Sequence, residues 1–336
     1  MNTERILLEH GSGGLMSNEL ISRIFLPAFR NDLLERLEDG AVFPVGGARV
    51  CFTTDSFVVN PIFFPGGDIG SLAINGTVND LAMCGGKPLY LSAGFILEEG
   101  FEMDFLERIV ESMSRAAARA GVKVVTGDTK VVPRGAADRI FINTSGVGSI
   151  DYPNMISPES IRPGDVVILN GTIGDHGAAI MNQREGLSFG SDIYSDSAPL
   201  NGLVEDILAA TPNIHCMRDA TRGGLGAILA EIAKKTGYLI RVSEIDIPVR
   251  SDVRGICEIL GIEPLYLANE GKMVVFCPEE DAKKVLTVMK KNPLGRDAAA
   301  IGRVLQRKTG RVEMTTVIGG ERIIDLPTGE LVPRIC

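Results

Sequence analysis

Four aspartates recur where the chain reads as the end of a strand or as a turn beside glycine. They are Asp55 in CFTTDSFVV, Asp80 in NGTVNDLAMCGGKP, Asp128 in VVTGDTKVV and Asp219 in CMRDATRGGLG. Magnesium takes hard oxygen ligands and binds through one or two carboxylates together with substrate phosphates. Carboxylates drawn from separate elements therefore suit a nucleotide held through its metal ions. Each Asp alone has a commoner use as a helix cap or turn residue, and it is the fourfold recurrence that points to a shared site. Two further polar residues stand near these segments. Lys130 follows Asp128 by two positions, so in an extended stretch both side chains face one side. Glu270 lies in LANEGK, just before a predicted strand. For both, spacing alone favours an ordinary surface charge.

A second reactive element is Cys336, at the end of GELVPRIC. The six cysteines (Cys51, Cys84, Cys216, Cys257, Cys277 and Cys336) show no CxxC and no zinc-like spacing. Five read as small buried hydrophobes, which leaves Cys336 apart. A frayed terminus is the usual state of such a segment. Here the Leu331-Val332-x-x-Ile335 pattern predicts a tail that docks, and Pro333 lowers the entropy cost of extending it. Seven extended residues reach roughly 20 Å or more, enough to carry a thiol into a pocket.

The glycine-rich segments are weaker signals. His10-Gly11-Ser12-Gly13-Gly14 offers bare backbone N–H groups that could line a phosphate, and a flexible N-terminal arm reads equally well. No GxxxxGK[ST] occurs anywhere in the chain. Gly171-Thr172-Ile173-Gly174-Asp175-His176-Gly177 follows a strand and opens a helix, a context in which anions bind. It lacks the GxGxxG spacing of a dinucleotide fold. The three histidines, at 10, 176 and 215, share no helical spacing, which argues against a histidine metal site.

Bulk properties narrow the function classes. The 336 residues predict two domains, and 45% hydrophobic with 23% charged residues is a globular composition. A net charge of -9 with no basic run argues against nucleic-acid binding. No stretch approaches a membrane span and MNTERILLEH is unlike a signal peptide, so the expectation is a cytoplasmic protein with no membrane partner.

The elements that must position these residues follow from periodicity. Residues 41–60 read as strand, turn and strand about Gly46-Gly47. Asp68 caps a helix running to Cys84, with Gly85 past its end. A strand over 89–97, an amphipathic helix over 103–120 stopped by Gly121, and strands over 122–126 and 139–147 complete an α+β first half. Prolines accumulate over 151–164, marking a connection. Beyond it come a strand over 166–169, a helix over 176–181, a mobile loop over 188–200 and a helix over 200–210. A helix over 227–236 capped by Gly237, a strand over 272–277 and a helix over 279–290 follow. A hairpin on Gly319-Gly320 precedes the tail.

TTDSF (53–57), NGTVNDLAMCGGKP (75–88), TGDTKVV (126–132) and RDATRGGLG (218–226) together resemble the PurM-like ATP-binding superfamily. With HGSGG near the start and PRIC at the end, the chain most resembles that superfamily's hydrogenase-maturation branch, over essentially its whole length. The resemblance implies a two-domain α+β fold. An N-terminal ATP-binding domain (1–150) would form a β-barrel across a homodimer, an α/β sandwich domain (151–318) would follow, and a mobile tail (319–336) would carry the reactive cysteine. It implies ATP and Mg2+ as cofactors. Asp55, Asp80, Asp128, Asn79, Gly13 and Gly14 would be nucleotide contacts, and Asp55, Asp80, Asp128 and Asp219 metal ligands, with Asp219 the most variable among relatives. It implies ATP-dependent dehydration of an S-carbamoyl group on Cys336 to a thiocyanate. Glu270 and Lys130 are the expected proton acceptors. The carbamoyltransferase HypF would be the donor and a HypC–HypD complex the acceptor of the cyano group for nickel–iron hydrogenase. The alternatives are a small-molecule kinase or synthetase of the same superfamily with an incidental cysteine, and a thiol-bearing scaffold without catalysis.

Overall fold

The structure is a computed structural model, which describes residues 5–11, 14–186, 193–327, 332 and 334–336. Its first half is built on a hairpin of β1 (Ala41–Val45) and β2 (Ala48–Phe57). Val45 pairs with Ala48, leaving a two-residue loop of Gly46 and Gly47 at φ +56° and +88°. That left-handed pair matches the twist of the flanking strands and disfavours any side chain. The chain continues through α1 (Ile69–Met83), β3 (Lys87–Glu98), α2 (Met103–Ala120), β4 (Lys123–Val132) and β5 (Ile140–Ile150). The sheet order is β1-β2-β5-β3-β4, antiparallel except for the parallel β3–β4 pair at one edge.

Asp68 starts α1 as the sequence predicts. Its Oδ1 accepts from the N–H groups of Gly70 and Ser71 at 2.8 and 2.9 Å, and the Ser71 hydroxyl accepts from Asp68 N–H at 3.0 Å. This reciprocal box satisfies donors that a helix start leaves open. Fourteen of the fifteen α1 residues are buried, so the helix is enclosed all round rather than along one stripe. It packs on β2, β5 and α2, and also on β7 (Cys216–Asp219) of the second half. The helix is therefore the shared core element of both halves.

The second half contributes β6 (Val166–Leu169), α3 (Asp175–Glu185), α4 (Asn201–Ala210), β7, α5 (Gly224–Thr236), β8 (Leu239–Ser243), α6 (Ser251–Leu260), β9 (Met273–Cys277), α7 (Glu279–Lys291), β10 (Ala299–Leu305), β11 (Val312–Thr315) and β12 (Glu321–Ile324). Its mixed sheet runs β12-β11-β8-β10-β6-β9-β7. One face packs against α5, while the other merges through α3, α4 and α7 with the core around α1. The result is the two-domain α+β architecture expected. Among the described residues, no helix is long and apolar enough to cross a membrane.

Several elements differ from the sequence expectation. β4 extends to Val132 because it pairs with β3 as far as Glu98. Strands β7, β8 and β10 and helix α6 were not foreseen. The strands run four to seven residues and β7 reads CMRD, so partners on the sheet, rather than an alternating pattern, make them strands. β12 falls within the expected tail yet pairs with β11 about the predicted turn. The loop expected to be mobile is described from residue 193, and that part is pinned, with Ile193 and Leu200 buried.

A candidate active site at the seam of the two halves

The cavity of interest, about 450 Å³, lies where α1, β2 and β7 meet. Asp55 reaches it from the end of β2, Asp80 from the last turn of α1 and Asp219 from the end of β7. Glu270, on the connection into β9, and Cys336 complete this set of lining residues. Three of the four recurring aspartates, Glu270 and the tail cysteine are thus brought together from segments far apart in sequence.

The electrostatics are those of an acidic pocket with too few internal cations. Burial, reinforced by Asp219, Asp39 and Asp55, pushes the Asp80 carboxyl well above the usual range. Burial and the Asp39 charge raise Asp219 to about 8. Glu270 is pushed well up by burial and by Asp219, Asp196 and Asp55. Burial also raises Asp55, against the pull of the Arg222 guanidinium 3.9 Å away. Asp219 Oδ2 and Glu270 Oε1 are buried without a hydrogen-bond partner among the described residues. Buried polar atoms are normally satisfied, so these two point to something the pocket takes up. Hard oxygen donors with unspent capacity suit magnesium. Among the described residues, no three His, Cys, Asp or Glu side chains are grouped to hold a metal ion by themselves.

The remaining expected residues fall elsewhere. Asn79 is buried and fully engaged within the protein. Its amide donates to Ala198 O at 3.1 Å and Glu270 O at 3.3 Å, and its Oδ1 accepts from Leu200 N–H at 2.7 Å. It braces the walls of the site rather than facing the cavity, a different task from the nucleotide contact expected of it. Asp128 and Lys130 pair with each other on the exposed edge strand β4 at 2.6 Å, and that bond holds the Asp128 carboxyl below the usual range. Asp128 is aligned with Gly94, Gly94 with Asn143, and Asn143 with Ser56. Residues so aligned share a face and Asp55 neighbours Ser56 in the strand, so Asp128 points away from the face that carries Asp55. Within one protomer it is not part of the pocket. Gly13 lies outside the described residues. Gly14 packs against the start of the tail, where an added Cβ would meet Pro327 O at 2.6 Å.

The sequence reading missed other contributors. Asp39, raised to about 6 by burial, lies 2.7 Å from Arg218, which also faces Glu231. Thr53 places its hydroxyl 2.9 Å from Asp80 Oδ2. Arg222 carries the cationic side of the pocket, and its guanidinium is held charged chiefly by Cys336 and Asp55 against the cost of burial. Arg218 and Arg222 both sit in the RDATRGGLG segment already singled out, so that motif could have yielded them. Asp196 accepts from Glu270 N–H at 3.1 Å and Gly271 N–H at 3.2 Å and pairs with Lys272 at 3.1 Å. A Cβ at Gly271 would sit 2.0 Å from Asp196 O. Asp196 fixes the backbone that carries Glu270, and nothing local in sequence marks it.

The end of the chain is docked. Val332 and Ile335 are buried, in accord with the apolar pattern of the tail. Val58 N–H donates to Cys336 O at 3.0 Å and Asn60 N–H to Arg334 O at 3.2 Å, a short antiparallel pairing. Arg334 donates to Val58 O at 2.9 Å and forms an ion pair with Asp138.

Family models match both halves: the N-terminal domain of AIR synthase related proteins over residues 37–150 and the C-terminal domain over 162–315. A carbamoyl dehydratase HypE of Azotobacter vinelandii is 53% identical over 97% of this chain and 96% of its own. A crystal structure of hydrogenase maturation protein HypE in complex with ATP is 49% identical, covers 99% of this chain and 100% of its own, and superposes with a TM-score of 0.83. A crystal structure of a HypE–HypF complex is 49% identical, with coverages of 92% and 99% and a TM-score of 0.87.

Proposed function

The chain belongs to the HypE carbamoyl dehydratases of the AIR synthase related family, and on that premise we propose that it uses ATP to convert an S-carbamoyl group on Cys336 into a thiocyanate, which supplies a cyano ligand during nickel–iron hydrogenase maturation. The observation that carries this reading is the shared cavity of Cys336, Asp55, Asp80, Asp219 and Glu270. A thiol beside a set of buried carboxylates has little use in a kinase for a free metabolite. It is where a substrate tethered to sulfur would meet a metal-bound nucleotide.

Oxide is too poor a leaving group to depart from S–C(=O)–NH2. The carbamoyl oxygen therefore attacks the γ-phosphorus of ATP as the bond to ADP breaks. The nitrogen gives up one proton as the phosphorylated imidate forms. It gives up the second as the C–O bond breaks, phosphate leaves and C≡N forms. Asp55, Asp80 and Asp219 are the proposed metal and nucleotide ligands. Magnesium bound there would offset the charge of the phosphates and of the carboxylates. Glu270 is the proposed proton acceptor. Its raised pKa makes the ionised carboxylate a stronger base than an exposed one, and Asp196 holds its main chain in place. The docked tail excludes water from the activated carbon, which would otherwise hydrolyse, and holds the reacting oxygen near the phosphate.

Partners follow from the same chemistry. A HypF-type carbamoyltransferase is the proposed donor, as a HypE of 49% identity forms a crystal complex with HypF. A HypC–HypD complex is the proposed cyano acceptor. A homodimer through the free edge of β4 is proposed as well, and in it Asp128 and Lys130 would line the joint. Cys51, Cys84, Cys216, Cys257 and Cys277 are buried and form no disulfide among the described residues, which fits the reducing cytoplasmic setting proposed here. The test is the intact mass of the protein before and after carbamoylation and after adding ATP with magnesium. Loss of one water from the carbamoyl adduct on the Cys336 peptide is expected. An adduct that persists while ATP is consumed, or phosphate release that needs no Cys336, would overturn the reading.

A further inference from the structure

His176 plays no part in the chemistry above, yet it is fully buried and uses both ring nitrogens. Nε2 lies 2.7 Å from Ile335 O, a main-chain carbonyl one residue before the cysteine. A carbonyl only accepts, so Nε2 carries the proton and donates. Nδ1, 2.8 Å from the Ser195 hydroxyl, is then the acceptor of the Ser195 O–H. Ser195 Oγ in turn accepts from Ser197 N–H at 3.1 Å. Every atom in the chain of contacts is satisfied in one tautomer. Burial also lowers the His176 pKa, which favours the neutral ring that this arrangement needs.

The surroundings make this contact stiff. Phe64 meets the His176 ring edge-on, with centroids 5.4 Å apart at 85°. Ser195 N–H donates to Pro65 O at 2.8 Å. Gly66, at φ +93°, leaves no room for a Cβ, which would lie 2.7 Å from Ser195 O. The next residue, Asp196, holds Glu270 N–H. Three successive tail oxygens thus meet donors from two segments, residues 58–60 and helix α3. Arg334 O accepts from Asn60 N–H at 3.2 Å and Arg184 Nη2 at 2.5 Å, Ile335 O faces His176, and Cys336 O accepts from Val58 N–H.

We infer that His176, held in its Nε2–H tautomer by Ser195, is a positioning residue that fixes the register of the docked tail and so places the Cys336 sulfur relative to Glu270. The inference rests on the proposed dehydration, but the contact itself is independent of it. The recognition is of main-chain oxygens. It reads the spacing of the tail rather than its side chains, and the Ser195–Asp196 step joins the tail anchor to the Glu270 backbone. A purely architectural histidine would have no reason to direct its N–H at a segment that must leave to be carbamoylated.

The experiment uses the full chain carbamoylated on Cys336 by a HypF-type carbamoyltransferase, with two readouts. One is single-turnover, ATP-dependent loss of water from the Cys336 peptide by mass spectrometry. The other, called tail exchange, is hydrogen exchange of the Val58 and Asn60 amides, which donate to the tail oxygens. His176→Ala is expected to slow conversion roughly 10- to 100-fold, the scale of a misplacement near 1 Å, with ATP affinity within about 2-fold and tail exchange faster. His176→Gln, whose side-chain amide can still donate, is expected to restore most of the rate. One glycine inserted between Pro333 and Arg334 should mimic His176→Ala. Unchanged rate and exchange in His176→Ala, or a glycine insertion without effect, would overturn the inference. So would a His176→Gln protein as slow as His176→Ala, which would reduce the residue to packing. Should His176→Ala fail to fold, Ser195→Ala leaves the ring in place and frees its tautomer, and faster tail exchange decides the matter. A wild-type protein that never loses water but shows His176-dependent tail exchange would sink the proposed function and leave the tail anchor standing.

Discussion

At the scale of single residues, the cavity separates what the reaction needs from what the fold needs. Cys336 lies at the end of a docked segment and is partly exposed, so Cys336→Ala should change stability by no more than about 0.5 kcal/mol. It should abolish formation of the dehydrated peptide while leaving nucleotide binding intact by calorimetry. A melted Cys336→Ala protein would instead make the tail a structural strap. Asp80→Asn keeps size and removes a charge that is costly to bury. Magnesium-dependent ATP turnover should therefore fall about 10²- to 10³-fold, while thermal stability without metal stays level or rises. Glu270→Gln should bind ATP and stall with the carbamoyl adduct unconverted. If that variant accumulates the dehydrated peptide at the normal rate, Lys130 from a second protomer or a main-chain acceptor takes over the role.

At the scale of elements, the edge of the first sheet asks for a partner. β4 has ten residues, nine of them exposed. Val124, Val125 and Val131 are 45%, 58% and 66% accessible, beside a sheet that also exposes Phe52, Tyr90 and Ile96. A long open edge with apolar side chains is a template for pairing. Val125→Lys combined with Val131→Lys should give a monomer by light scattering, with an unchanged far-UV spectrum. A dimer that survives both changes would locate the contact elsewhere. Helix α1 carries a different kind of dependence. Asp68→Ala removes a reciprocal cap and should cost about 1 kcal/mol, read as a lower denaturation midpoint.

At the scale of the molecule, converging carboxylates tie stability to pH. Burial pushes the Asp39 and Asp219 carboxyls up to about 6 and about 8 in the folded protein, above the usual unfolded value of about 4. The folded state therefore holds more protons than the unfolded chain between these limits. Their contribution to stability is complete below pH 4 and is lost as pH rises through 6 and then 8. The metal-free protein should melt at a lower temperature at pH 8 than at pH 6, and magnesium with ATP should raise the melting temperature more at pH 8. A melting temperature that climbs from pH 6 to pH 8 without metal would mean that burial and neighbouring charge do not raise these carboxylates in the folded protein.

Much of this was legible in the sequence because it depends on short-range pattern. The Gly46-Gly47 hairpin, the Asp68 cap, the helix ended by Gly121 and the segments bearing Asp55, Asp80 and Asp219 are all local signals, set by backbone sterics and periodicity. So was a tail whose Val332 and Ile335 would bury. Tertiary structure decided which of the similar-looking residues meet. Asp55 and Asp128 sit in like sequence settings, but strand register turns them to opposite faces, and Asn79, one residue from Asp80, points into a brace instead of a cavity. His176 lies in the glycine-rich turn at 171–177, but nothing local there or at Ser195 and Asp196 marks their roles, which come from contacts with residues 335 and 270, far along the chain. Local patterning specifies elements. Only their packing brings distant atoms within hydrogen-bond range, and the geometry of this site is made of such distances.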